Sequence, residues 1–196
     1  MTPKQRALPT PSWDKLYEIA ASQEGHFTPS QAAEAGYSLR LLAHHLRKGR
    51  VARAQRGVYR LVHYPAGDHD DLMVLWLWSG QKGVFSHETA LSLHGLSDIL
   101  PFRVHLTLPK SWQRRRVKFP EVLVPHFADL PTGDRAWVGS IPVTAPARTV
   151  IDCAEAHAPP ELVAQAVQEG LERGLFTTET VMVARQYARA FDLELA

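Results

Sequence analysis

The chain holds a single cysteine, Cys153, among its 196 residues, so no disulfide can form within it. With no leader of basic, apolar and small-residue segments at its start, the sequence predicts an intracellular, cytoplasmic protein. Long hydrophobic runs are missing as well. The longest, Leu72 to Trp78, is far short of the roughly 20 residues a membrane helix requires, which predicts a buried helix and no membrane partner. No repeat is visible. Net charge is small, +2, but it is unevenly spread. Residues 1 to 65 carry ten Lys/Arg against four Asp/Glu, and residues 66 to 196 carry twelve against sixteen. A front of +6 and a rear of −4 imply that the front meets a polyanion, while the rear repels one or meets a basic protein partner.

The signatures of several enzymes are also lacking. A nuclease of the Asp, Glu-x-Lys type needs a lysine two residues after a glutamate at its metal site, and no such triplet occurs. A nucleotidyltransferase needs Gly-Ser followed about ten residues later by Asp-x-Asp, whose paired carboxylates hold two cations. Here Gly139-Ser140 is followed by Asp152, but the next carboxylate position is Ala154. Asp68-His69-Asp70-Asp71 lacks the Gly-Ser and reads as a solvated linker and a helix start, where acidic side chains suit the dipole. Ser86 has no Gly-x-Ser-x-Gly setting and reads as a helix cap. His87 and His94 could share a helix face, but no Cys or second carboxylate stands near them at metal-ligand spacing. The sequence therefore predicts no catalytic residue, no metal, no cofactor and no enzymatic activity.

What is present is concentrated between Thr28 and Val62, which read as a helix-turn-helix followed by a two-stranded wing. Thr28-Pro29-Ser30-Gln31 supplies a cap hydroxyl, a proline at the first helical position and a glutamine three residues after the cap, a capping box. Gly36 can take the left-handed conformation that ends the short helix. Ser38 is a second cap, and Leu39, Leu42 and Leu46 set an apolar stripe on the helix that follows. Arg40, His44, Arg47 and Lys48 form a basic stripe on the opposite face, and His45 is a further polar group on this recognition helix, able to donate to phosphate or a base edge. After Gly49 the period becomes extended: a strand from Arg50 to Ala54, a Gln55-Arg56-Gly57 turn, and a strand from Val58 to Val62. Arg50, Arg53, Arg56 and Arg60 then belong to the ribbon. A winged helix places one element in a major groove and another along phosphates, so these nine basic side chains are the candidate DNA-binding residues. A protein-interaction module is the other use of such a helical pair with a hairpin.

Around this stretch, residues 1 to 11 read as a flexible tail and a first helix begins at Ser12, so the winged helix-turn-helix domain spans 12–64. Tyr64-Pro65-Ala66-Gly67-Asp68 is turn-rich, which places a linker at 65–70. Beyond it, 71–196 read as an α+β domain with a small antiparallel sheet and several helices. Helices are expected over Asp70–Ser79, from Ser86, over Ala147–Ala156, Glu161–Arg173 and Thr180–Phe191. Strands are expected over Val104–Leu108 and Val117–Val124. A hairpin is expected through Gly139-Ser140, with Pro142 marking an edge strand. Lys110, Arg114-Arg115-Arg116 and Lys118 form a basic loop, read as solvated, or as an extension of the DNA footprint or a contact for an acidic partner.

Ser86-His87-Glu88-Thr89-Ala90-Leu91 with His94-Gly95-Leu96, then Val104 to Pro109, then Ile141-Pro142-Val143-Thr144 with Pro146, Arg148, Thr149 and Asp152, resemble the AbiEi antitoxin family, in matching order across about residues 12 to 175. The resemblance implies a bacterial transcriptional autorepressor of a type IV toxin-antitoxin system. Its winged helix would bind inverted repeats of double-stranded DNA in its own promoter, and its rear domain would counteract a nucleotidyltransferase-like toxin. A stand-alone regulator without a toxin, or a small DNA-processing nuclease, are the alternatives.

Overall fold

A computed structural model describes residues 9–189. Residues 1–8 of the expected tail, and the last two residues of the helix expected over Thr180–Phe191, lie outside the described residues. The chain divides into two units, Met1–Gln81 and Lys82–Ala196, so the division falls after Gln81 and not at 65–70. Charge is redistributed with it. Asp68, Asp70 and Asp71 go to the front, leaving that unit ten Lys/Arg against seven Asp/Glu, and the rear twelve against thirteen. The rear is thus close to neutral, and the acidity expected of it came mostly from the segment that belongs with the front. No helix among the described residues is long and apolar enough to cross a membrane.

The first three helices each begin on a hydroxyl. Ser12 Oγ accepts from Lys15 N at 3.2 Å to start α1 (Trp13–Ala21). Thr28 Oγ1 accepts from Gln31 N while Gln31 Oε1 accepts from Thr28 N at 2.8 Å, completing the capping box of α2 (Pro29–Glu34). Ser38 Oγ accepts from Leu41 N to start α3 (Leu39–Arg47). Each cap is worth about 1 kcal/mol, which counts for much in helices this short. Gly36 ends the α2 turn at φ +90°, where an added Cβ would meet the Pro9 carbonyl oxygen at 2.5 Å.

The wing is a three-stranded sheet, because a short strand β1 (His26–Phe27) joins β2 (Val51–Gln55) and β3 (Val58–Leu61) in the order β1-β3-β2. Leu16, Phe27, Ala32, Leu42, Val51 and Leu61 close a core beneath it, and Tyr59 stacks on Phe27. Burying each of the larger side chains stabilises by about 1.5–3 kcal/mol. The fully covered Gln23 ties the unit together. Its Nε2 donates to the carbonyls of Ile19 and His26, and its Oε1 accepts from Gln31 and from Gln81. That last bond anchors the chain just after α4 (Asp70–Trp78), the helix expected from the apolar run, whose Met73, Leu75 and Leu77 are buried.

The second unit is α+β as expected, but its sheet is larger than the small antiparallel one read from the sequence. Five strands lie in the order β6-β5-β4-β8-β7: β4 (Val84–Phe85), β5 (Val104–Leu108), β6 (Leu123–Phe127), β7 (Arg135–Val138) and β8 (Ile141–Thr144). The β5/β6 and β4/β8 pairs are parallel, a relation that local alternation cannot show. The strand expected over Val117–Val124 starts only at Leu123, because Pro120 withholds a backbone N–H and turns the chain, its carbonyl accepting from Leu123 N at 3.0 Å. Pro142 lies on an interior strand, not an edge. β8 is bridged to the two-residue β4 at Val143 alone, so a neighbouring proline interrupts little of a ladder.

Helices α5 (His87–His94), α6 (Pro146–Glu155), α7 (Pro160–Glu172) and α8 (Thr178–Arg189) complete this unit. Leu91, Leu96, Val150, Cys153, Val163 and Ala166 form its helical core.

Candidate nucleic-acid interface and a histidine cluster

Helix α3 presents its basic stripe as the spacing predicts, but of the expected apolar stripe Leu39 is exposed at the helix start and Leu46 is only partly buried. Leu42 is buried against the core, while Arg40, His44, Arg47 and Lys48 are exposed. Ser38, Arg40, Leu41, His44 and Arg47 line an open depression on the outer face. Gly57, at φ +84°, turns the ribbon so that exposed Arg56 stands at its tip, with Arg53 exposed on β2 and Arg50 between α3 and β2. Among the described residues, none of Arg40, Arg47, Lys48, Arg53 and Arg56 is held in an ion pair. Their charge is therefore uncompensated toward solvent, the condition under which cations attract a polyanion.

Two of the nine candidate residues are engaged elsewhere. The His45 ring is half-buried, 5.5 Å from the Trp13 ring and 5.4 Å from that of Tyr37. Burial, then Arg50 and His44, lower its pKa, which favours a neutral ring packed on the core over a cation facing solvent. Counting positions put it next to His44, but α3 turns about 100° per residue and carries it inward. Arg60 likewise leaves the ribbon's outer surface. Its Nη2 donates to the Tyr64 carbonyl at 3.0 Å and its Nε lies 3.6 Å from Asp70 Oδ2. It fastens α4 to the wing sheet.

In the second unit, Arg148 pairs with Asp152 on α6 at 2.7 Å as the spacing predicts, and also lies 3.5 Å from Asp134. The basic loop carries exposed Arg114, Arg115 and Arg116, with the Arg115 guanidinium 4.8 Å above the Trp112 ring. Ser86 occupies the cap position of α5 but caps nothing. Its Oγ accepts from Thr107 Oγ1 at 2.8 Å and lies 2.9 Å from His87 Nδ1. His94 does not join His87; its Nε2 lies 2.7 Å from the Thr144 carbonyl oxygen.

His87 instead meets His105 of β5 and His126 of β6, with ligand nitrogens of all three within 4.8 Å of one another. Sequence spacing sets His87 only against His94 and predicts no metal. The partners it lacked stand on neighbouring parallel strands, where register and not spacing joins them.

Comparison with known proteins agrees with this two-part arrangement. Residues 14–62 match the family model described as a transcriptional regulator, AbiEi antitoxin, and residues 83–173 match the AbiEi antitoxin C-terminal domain. No curated protein matches the chain. Among solved structures, that of the RV2827C protein from Mycobacterium tuberculosis is similar at 14% identity and a TM-score of 0.49, covering 96% of this chain and 80% of that one. Those two models are named for regulation and antitoxin action rather than for an enzyme, and they take in most of both units: the chain belongs to the AbiEi antitoxin family.

Proposed function

We propose that the first unit binds duplex DNA, with α3 in the major groove and the wing along the backbone, to repress transcription from the protein's own promoter at inverted repeats. The observation that carries this reading is the exposed face of Arg40, Arg47 and Lys48, with His44 among them, on a helix that buries Leu42 in the core. Arg40, near the N-terminal end of α3, is placed to read a guanine edge, since recognition helices enter the groove by that end. Arg53 and Arg56 contact phosphates, and Arg50 lies between the two groups. The second unit then counteracts a nucleotidyltransferase-like toxin by binding, without catalysis. This rests on the antitoxin family match, because the unit's near-neutral charge supplies no electrostatic argument of its own.

Nuclease protection of the DNA upstream of the gene by full-length protein tests the reading. Two protected half-sites on one face of the duplex, related by inverted symmetry, are expected. Protection of that DNA only at concentrations that also protect random DNA would refute it.

A further inference from the structure

We propose that His87, His105 and His126 form a binding site for one divalent transition-metal ion of the zinc class, held by three imidazoles with a fourth position left for water or an outside donor. The inference stands apart from the DNA-binding reading and shares no residue with it.

The backbone assembles the trio from three elements. β5 and β6 run parallel with Thr107 opposite His126, so His105, two residues before Thr107, emerges on the same face as both. His87 reaches that face from the start of α5, and it does so at φ +52°. A non-glycine residue in this left-handed region costs about 1 kcal/mol or more, and such strain persists where the surroundings require the side chain in one place. The imidazole is buried as well. A histidine that was only a helix-start residue would gain nothing from either cost.

Two of the nitrogens not aimed at one another have polar neighbours, one of them at hydrogen-bond distance. His87 Nδ1 lies 2.9 Å from Ser86 Oγ, which is itself fixed by the hydroxyl of Thr107. With Nδ1–H donating to that oxygen, the lone pair of His87 Nε2 is free to ligate. His105 Nε2 lies 3.9 Å from Glu88 Oε2, and its backbone N–H donates to Thr89 Oγ1. This leaves His105 Nδ1 facing His126 Nε2 at 3.0 Å. The hydroxyl on the far nitrogen of His87 is the kind of outer-shell partner that orients a metal-bound histidine, and the Glu88 carboxylate lies near enough to His105 to become one on a small shift.

The rings are neutral. Burial, with the neighbouring imidazoles and Arg148, lowers His87 to about 3, and burial with His105 lowers His126 to about 4. His105 is lowered too, chiefly by burial against the pull of Glu88, so the 3.9 Å approach to Glu88 is not an ion pair. A neutral imidazole keeps one N–H, so ligation by all three rings requires a tautomer shift that carries the proton between His105 Nδ1 and His126 Nε2 to a far ring nitrogen.

Three imidazoles with no thiolate suit zinc, copper or nickel rather than calcium or magnesium. Nitrogens bound at about 2.0–2.1 Å in a tetrahedral site stand roughly 3.3 Å apart, so a shift of about an ångström closes the trio. The rings must also fan out. His87 and His126 stack at 3.6 Å with planes 15° apart, and an in-plane lone pair on each converges on one ion only when that angle opens. With three protein ligands the site is open, as in exchangeable centres, and not the closed four-ligand kind.

Titrating untagged, chelator-treated full-length protein with Zn²⁺ by calorimetry tests the proposal. One ion per chain with a micromolar or tighter Kd is expected, weakened at least a hundredfold by His126→Ala and about 10–100-fold by Ser86→Ala. His63→Ala, an exposed histidine of the first unit, should leave binding unchanged. Should His126→Ala fail to fold, Co²⁺ on the wild type decides instead. It should give an intense tetrahedral visible spectrum, discharged by Zn²⁺, with the imidazole resonances of three histidines shifted. Absence of stoichiometric Zn²⁺ binding, wild-type affinity in folded His126→Ala, or a weak octahedral Co²⁺ spectrum would each overturn it.

Discussion

Arg60 of β3 and Asp70 of α4 face each other at 3.6 Å, Nε to Oδ2, and Arg60 also donates to the Tyr64 carbonyl. A side chain placed on the wing's strand by alternation is thereby turned from the DNA side to the task of holding the next helix. Both partners are about a quarter exposed, 24% and 28%, so screening keeps the ion pair itself below about 1 kcal/mol. Losing the hydrogen bond to Tyr64 adds about 1 kcal/mol more. Arg60→Ala should lower the melting temperature by several degrees, given about 4–8 °C per kcal/mol for a domain of this size. At temperatures where the variant is folded its DNA affinity should stay within about twofold of wild type. Arg56→Ala should do the reverse, leaving the melt unchanged and lowering the salt slope of binding by about one. Thermal melts paired with salt-dependent anisotropy separate the two arginines, and a matching affinity loss in both would contradict the assignment of Arg60.

His45 makes a similar prediction by another route. Its ring sits between Trp13 and Tyr37, contacts worth about 0.5–1.5 kcal/mol each beyond the area they bury. His45→Ala should destabilise the first unit by about 1–2 kcal/mol in urea unfolding, with DNA specificity kept. Because burial lowers the His45 pKa, the neutral ring is the folded form. Its contribution is complete above the ordinary imidazole pKa and is lost as pH falls through the lowered folded value. An unchanged unfolding midpoint with altered base preference would return His45 to the interface.

How much of this was readable beforehand follows from where each signal resides. The capping box at Thr28, the cap at Ser38 and the glycine turns at Gly36 and Gly57 are local chemistry, and the structure forms all four as the sequence implies. The Arg148–Asp152 pair is local too. What failed was long-range. β1 is two residues, too short for any period, and exists because β3 offers it an edge. Parallel pairing of β5 with β6 brings His126 to His105 across 21 positions of chain. Ser86 has the residue type and position of a cap, but the left-handed His87 that follows redirects its hydroxyl to Thr107.

Asp152 and Arg148 give a prediction in pH. Burial raises Asp152 to about 6 despite the attraction of Arg148, whereas Arg148 is raised as a paired group would be. The two shifts disagree on whether the pair is favourable. The burial of Asp152 governs, because its side chain is only 5% exposed and Oδ2 has no hydrogen-bond partner. A carboxyl with a raised folded pKa stabilises most below its unfolded value near 3.8, and this contribution is lost as pH rises through about 6. Two pKa units correspond to about 3 kcal/mol at most. Asp152→Asn should therefore gain stability relative to wild type between pH 4 and about 6, read as the difference between their urea midpoints. A constant difference across that window would show an ordinary carboxylate.

The most direct test of the central claim is a gel-shift comparison on the promoter fragment using full-length protein in which Arg47, Lys48 and Arg56 are all replaced by alanine. All three are exposed, so the fold and melting temperature should be unaffected. Arg47 and Lys48 act on α3 and Arg56 on the wing, so binding should fall at least a hundredfold and the preference for the promoter over random DNA should shrink. Unchanged binding by the folded triple variant would contradict the account and leave the helix-turn-helix without its assigned role.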